Sequence, residues 1–237
     1  MDKFKMRYRD DTKLVLKECT FKIEGGQKIG IVGRTGAGKS TLCNAFTRIV
    51  ERESGTIKFD GVDISEINIK QVREAITIIP QEATMYKGTL AYNLDPTGVV
   101  PRSEILAVLK KAKLDEIILK KSKEEKEKEA KEKEEREKAL KEMNLTDKLG
   151  NVKILEDTVS KEEHTGDEAL LNFEINDNLS SGEKSLVQIC RAILRKNKIV
   201  LLDEATANID IETEQMVQKL INEEFKDCTM LTVAHRL

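Results

Sequence analysis

The 237-residue chain is 39% hydrophobic and carries a formal charge of −2, so it can bury one sizeable core, in up to two lobes, and has no global basic field to steer it onto nucleic acid or anionic lipid. Its cysteines, Cys19, Cys43, Cys190 and Cys228, are far apart and form no C-x-x-C pair, which argues against a zinc site or a disulfide framework and for reduced thiols. No apolar run approaches the ~18 residues of a spanning helix, and the charged N-terminus does not read as a signal peptide.

In chain order, Phe4, Met6 and Tyr8 alternate with polar residues and predict a half-buried strand. Further strand signals around Cys19–Ile23 and Thr56–Phe59 complete a small antiparallel sheet. Lys28–Val32 is an apolar strand running into Gly33-Arg34-Thr35-Gly36-Ala37-Gly38-Lys39-Ser40, which fits G-x-x-x-x-G-K-[ST], and an amphipathic helix opens at Ser40. The glycines let the backbone curl with its N–H groups inward, and the helix adds its positive end to the same anion site. The segment therefore reads as a nucleotide-phosphate cradle in which Lys39 meets the β- and γ-phosphates, Ser40 places a hydroxyl on Mg²⁺, and Thr41 is its helical neighbour.

Ile76–Ile79 is a short apolar strand ending at Pro80. From Pro101 to Asn178 the pattern is helical and strand-poor, with Ile105, Leu106, Val108, Leu109 and Leu114 at helical spacing, which predicts a helical lobe inserted into an α/β core. Within it Lys120–Glu142 is almost entirely Lys and Glu. It lacks apolar a and d heptads, so it is expected as an exposed, solvated helix or a disordered insertion, not a coiled coil. Gly150–Asn178, acidic and weakly patterned, is expected as loop.

Leu179-Ser180-Ser181-Gly182-Glu183 opens a helix with an apolar stripe through Leu186, Val187, Ile189, Cys190, Ile193 and Leu194. Ser180 and Glu183 have the spacing of a capping box, and a Ser-Gly helix start is also a second anion site. Lys198–Leu202 is an apolar strand leading into Asp203 and Glu204, at the end of a strand where open α/β sheets bind ligands. Asp203 would hold Mg²⁺, and Glu204 is free to orient or deprotonate an attacking water. Thr229–Val233 is the last apolar strand.

With Gln81, Ala205–Asp210 and His235 added, these elements in this order resemble the nucleotide-binding domain of ABC transporters, over nearly the whole chain except roughly 120–172. The strings Val32–Ser40, Ile78–Gln81, Tyr92–Pro96, Asp203–Ala207 and Phe225–Thr229 place the resemblance closest to the C subfamily, the multidrug-resistance-associated proteins, and to their second nucleotide-binding domain. The resemblance implies an α/β fold: a P-loop NTPase with a RecA-like parallel sheet core, a small antiparallel β subdomain and an inserted α-helical subdomain. It implies one ABC-type ATP-binding domain over 1–237 that stops short of the family's usual C-terminal end. The ATP-binding core would take 1–84 and 193–237, and the helical subdomain 85–192, with the charged insertion at about 120–142.

Site roles follow from the same resemblance. ATP and Mg²⁺ are the implied ligands. Tyr8 would stack on adenine, in preference to the core-aromatic role that its alternation with Phe4 and Met6 would otherwise suggest. Gly33, Arg34, Thr35, Gly36, Ala37, Gly38, Lys39, Ser40 and Thr41 would surround the phosphates, and Ser40, Asp203 and Gln81 the metal. Glu204, His235 and Gln81 would serve hydrolysis, His235 through the γ-phosphate. Met85, Tyr86 and Tyr92–Pro96 would flank a groove for the coupling helices of transmembrane domains, and Asp210 would lie in a loop crossing to the partner domain. That partner is a second nucleotide-binding domain in a head-to-tail pair, in which Ser180 and Gly182 of one contact the γ-phosphate held by the other.

The implied activity is ATP hydrolysis driving export of organic anions or conjugates, at the cytoplasmic face of a membrane as part of an integral membrane protein. An ATP-gated channel or regulatory subunit of the same subfamily is the alternative. A chromosome-maintenance or DNA-repair ATPase fits less well, and no nucleic acid is expected. Two departures from the family pattern stand out besides the insertion: Ser181, where Gly or Val is common, and Glu183, where Gln is usual. A Glu183 pointing at the γ-phosphate would repel it, whereas a capping box would account for the acid.

Overall fold

The computed structural model describes residues 1–146, 166–203 and 209–234, without the side chains of 140–146 and 234. Strand β1 (Asp2–Met6) buries Phe4 and Met6 and pairs antiparallel with β2 (Leu16–Cys19). The chain then enters β3 (Lys28–Val32), the phosphate-type loop and α1 (Lys39–Phe46). Next come β4 (Ser54–Thr56), antiparallel to the other edge of β1, and a hairpin of β5 (Lys58–Phe59) and β6 (Val62–Asp63). Its two-residue loop, Asp60-Gly61, has positive φ at both positions, as the twist of a tight hairpin requires. At Gly55 an added Cβ would lie 2.4 Å from the Lys3 carbonyl oxygen, so β4 approaches β1 closely only because that position is glycine.

After α2 (Ile69–Glu74) and β7 (Ile76–Ile79), the chain builds β8 (Gly88–Thr89), α3 (Leu90–Leu94), α4 (Arg102–Lys111), α5 (Leu114–Thr146), α6 (Asp167–Leu171) and β9 (Glu174–Ile175). It closes with α7 (Ser181–Leu194), β10 (Ile199–Asp203), α8 (Ile211–Glu224) and β11 (Thr229–Ala234). The central sheet is wholly parallel, in the order β3-β11-β10-β7. Its two faces feed separate cores, because alternate residues of a strand point to opposite sides. Leu201, Leu231 and Val233 join Phe4, Met6, Phe46 and Val72, whereas Val200, Leu202 and Met230 join the helices α3 to α8. The fold is thus the expected P-loop NTPase arrangement, a parallel sheet with an antiparallel sheet and a helical lobe attached.

Several local expectations need correction. The strand placed at 19–23 lies at Leu16–Cys19, where Glu18 takes a positive φ and the register with β1 shifts between Phe4 and Met6. The stretch 56–59 is divided between β4 and β5. The loop expected for 150–178 falls partly outside the described residues. Its described part contains α6 and β9, because Leu170, Leu171, Phe173 and Ile175 are all buried among acidic neighbours that masked their pattern. The charged run belongs to one continuous 33-residue helix, α5, and is exposed over 126–139, whereas Lys121, Ser122 and Glu125 at its base are half-buried. Among the described residues no helix is long and apolar enough to cross a membrane.

Candidate functional site

Strand register brings part of the predicted site to one end of the sheet. Val32 pairs with Ala234, Val233 with Asp203, and Leu202 with Ile79, so the glycine-rich loop, Asp203 and the Pro80-Gln81 step all leave the sheet at its carboxyl end. Gly36 and Gly38 have φ of +79° and +94°, the left-handed region that glycine enters without strain. The Ala37 N–H donates to the Arg34 carbonyl at 3.0 Å and tightens the turn, and the loop is backed by Val15 and Leu16 beneath Gly38. Arg34 and Thr35 are exposed at its rim.

Lys39 is only 7% exposed. Its ammonium donates to the carbonyls of Gly33 at 2.8 Å and Arg34 at 3.3 Å, curling back over the loop. Among the described residues it makes no ion pair. A nearly buried cation satisfied by carbonyl dipoles alone leaves a charge that an anion would complete.

Ser40 is exposed at the start of α1, and Thr41 is buried behind it. Tyr8, 47% exposed while Phe4 and Met6 are buried, is held by its hydroxyl, which accepts from the Asn44 amide at 3.3 Å and shares a 3.0 Å bond with the Thr41 hydroxyl. Its ring therefore stands beside the loop helix and outside the core. Burial pushes the Cys43 thiol of α1 up to about 12, helped by the Asp203 carboxylate, which must lie close to that helix. Gln81 is exposed just past β7, and the preceding carbonyl, of Pro80, accepts from the Gln188 amide of α7 at 3.4 Å. Glu204 and His235 lie outside the described residues.

The second anion site is built elsewhere. Ser180 caps α7: its Oγ accepts the Glu183 N–H at 3.2 Å, and Glu183 Oε2 accepts the Ser180 N–H at 2.7 Å. Glu183 is thus turned back into the capping box. Gly182 is buried against Thr213 in the first turn of α8, whose own cap is Asp210, accepting the Thr213 N–H at 2.9 Å. No hydrogen bond among the described residues connects Ser180 or Gly182 to the loop 33–40.

Two contacts escaped the sequence reading. Arg191, inside the apolar stripe of α7, donates from Nε to the Asn93 carbonyl at 2.6 Å and from Nη1 to the Thr84 carbonyl at 3.3 Å, with Tyr86 5.6 Å away across its ring face. It joins α7 to the segment after Gln81, where Tyr86 and Tyr92 form an exposed edge-to-face pair. Lys121 of α5 pairs with Glu183 at 3.0 Å. A polar residue interrupting the α7 stripe was the available signal for Arg191. For Lys121, one of many lysines in its run, there was none.

The family description "ABC transporter" matches residues 16–207. The chain is similar to ABC transporter C family MRP4 of Zea mays, at 40% identity over 98% of this chain and 13% of that protein. It is similar to ATP-binding cassette sub-family C member 2 of Rattus norvegicus, at 36% identity over 99% of this chain and 12% of that protein. The chain therefore spans about an eighth of the length of these curated relatives. Among solved structures, a bacterial Atm1-family ABC exporter with ATP bound superposes with a TM-score of 0.72 and 25% identity, over 99% of this chain and 34% of that one.

Proposed function

Because the chain belongs to the ABC transporter family, as an ATP-binding ATPase domain similar to those of C-subfamily members, we propose that it hydrolyses ATP to drive export of organic anions or conjugates across a membrane, from the cytoplasmic face. The observation that supports this reading best is the nearly buried Lys39 ammonium, satisfied among the described residues only by carbonyls, at the sheet edge where the ends of β3, β7, β10 and β11 converge.

In this reading Tyr8 stacks on adenine, held upright by Thr41 and Asn44. The amides of 33–38 and Lys39 take the phosphates. Among the described residues no three or more His, Cys, Asp or Glu side chains cluster into a cation cage. Magnesium would therefore draw on Ser40, Asp203 and Gln81 together with the phosphates, supplying charge neutralisation between them. Glu204, next after Asp203, orients and deprotonates the attacking water, and His235, next after β11, meets the γ-phosphate.

Ser180 and Gly182, which make no hydrogen bond to the loop among the described residues, meet the nucleotide of a second such domain in a head-to-tail pair. Asp210, capping α8 beside Gly182, lies at the crossing between them. Residues 1–84 and 193–237 act as the ATP-binding core and 85–192 as the helical subdomain, with the Met85–Pro96 surface receiving transmembrane domains.

Calorimetric titration with ATP, with and without magnesium, tests the centre of this reading. Magnesium-dependent uptake is expected in the wild type and loss of uptake in Lys39→Ala. Absence of uptake by folded wild-type protein would overturn it.

A further inference from the structure

The charged helix is fastened to the start of α7 at its base. Lys121 Nζ donates to the Asn178 carbonyl at 2.8 Å and lies 3.0 Å from Glu183 Oε2, the oxygen that also accepts the Ser180 N–H. One turn further along α5, Glu125 Oε1 accepts from the Asn178 amide at 2.8 Å, and that amide also donates to the Glu174 carbonyl at 3.0 Å. Residues 179–182 are therefore framed on one side by Asn178 and on the other by Glu183, with Lys121 touching both.

The side chains of Lys121 and Glu183 are 27% and 15% exposed, so their attraction is less screened than that of a surface pair. An acid at the third position of a helix suits the capping box and the positive helix end. The same acid opposes a triphosphate brought to that helix start.

We propose that Lys121 is a positioning residue for the nucleotide contact made by Ser180 and Gly182: it neutralises Glu183 and fixes Asn178, so that an acidic capping box can face a triphosphate. This rests on the reading that these residues meet the ATP of a second domain. Because Lys121 belongs to the helical lobe and not to the phosphate loop, its influence falls on the paired state and not on ATP capture by its own chain.

The test compares Lys121→Met, Lys121→Arg, Glu183→Gln and the double variant Lys121→Met/Glu183→Gln with wild type, using Lys120→Met as the exposed neighbour control. Steady-state ATPase is measured against ATP concentration in the full chain, alongside ATP affinity of the unpaired domain and thermal unfolding. Lys121→Met should raise KM about fivefold to tenfold with kcat changed less than twofold, and leave the affinity of the unpaired domain unchanged. Lys121→Arg should retain wild-type KM, and the double variant should fall within twofold of Glu183→Gln, since no acid then remains to be neutralised. A Lys121→Met KM within twofold of wild type, an undiminished loss in the Glu183→Gln background, or equal loss of ATP affinity in the unpaired domain would each overturn the proposal. Failure of the wild type itself to pair on ATP removes the underlying reading, and is told apart from a wild type that pairs beside an indifferent Lys121→Met.

Discussion

Replacing Gly182 with alanine sets two effects of comparable size against each other. A Cβ at this buried position would lie 2.9 Å from Thr213 Cγ2 and 3.3 Å from Thr213 Cβ and Oγ1. Carbon atoms reach ordinary contact at about 3.5 Å, so the starts of α7 and α8 must part by roughly 0.6 Å, or Thr213 must turn. Thr213 resists turning: it is β-branched, its hydroxyl bonds Asp210, and its N–H donates to the same carboxylate at 2.9 Å. Overpacking of this kind costs about 1–3 kcal/mol. Alanine returns up to about 1 kcal/mol as the better helix former, and less in a first turn.

The net expectation is a loss of about 1–2 kcal/mol, which for a chain of this size lowers Tm by about 3–6 °C. Thermal unfolding of Gly182→Ala, Thr213→Ser and the double variant provides the assay. Serine removes the nearest clashing atom and keeps the hydroxyl on Asp210, so the double variant should recover more than half of the alanine loss after the Thr213→Ser effect is subtracted. A Gly182→Ala protein that melts at or above wild type, or a double variant with no recovery, would refute the steric argument.

Glu204→Gln should keep ATP affinity and accumulate a paired, ATP-bound state with hydrolysis reduced more than a hundredfold, read by turnover and by size-exclusion chromatography; equal turnover in variant and wild type would remove the assigned role. Burial alone would raise the Asp63 carboxyl, but the Arg52 guanidinium at 2.8 Å and the amide and hydroxyl of Ser65 outweigh it and bring it to about 2. A carboxyl held below its ordinary value stabilises the fold above about pH 4, and that contribution is lost as pH falls towards 2. In urea unfolding, the deficit of Asp63→Asn should therefore be about 2 kcal/mol at neutral pH and shrink as the medium is acidified through this window; a deficit independent of pH would contradict it. Deletion of 126–139, all exposed in α5, should leave Tm within about 2 °C and ATP affinity unchanged, whereas a large loss would mean that this stretch packs against the core.

What the sequence disclosed most fully was chemistry held at short, fixed spacing. The glycine-rich loop, the Ser180–Glu183 box and the apolar strand before Asp203 each depend on neighbours a few residues away, and each is where its local pattern placed it. Continuous apolar runs also marked the four parallel strands, most plainly β10, whose Val200, Leu201 and Leu202 are all buried, whereas the edge strand β3 was marked by its place before the glycine-rich loop. The pairing of Gly88–Thr89 with Glu174–Ile175 joins two dipeptides across the helical lobe, and no local propensity specifies so short a ladder. β2 is irregular, with Glu18 at a positive φ and a register shift against β1, and no local pattern marked either. Gly182 against Thr213 required the angle between two helices, and Lys121 against Glu183 required knowing which of many identical lysines comes opposite an acid. These are properties of closure in three dimensions, not of spacing.

Helix α5 turns this last contact into a pointer. Its 33 residues stretch about 50 Å, and Lys138 stands about 20 Å along the axis from Glu125, the last residue tied to Asn178. A tilt of about 10° at the base, too small to notice among the side chains around Ser180, would sweep the Lys138 end through about 3–4 Å. A dye placed there would convert a sub-ångström adjustment beside Ser180 into a distance that fluorescence can follow in real time.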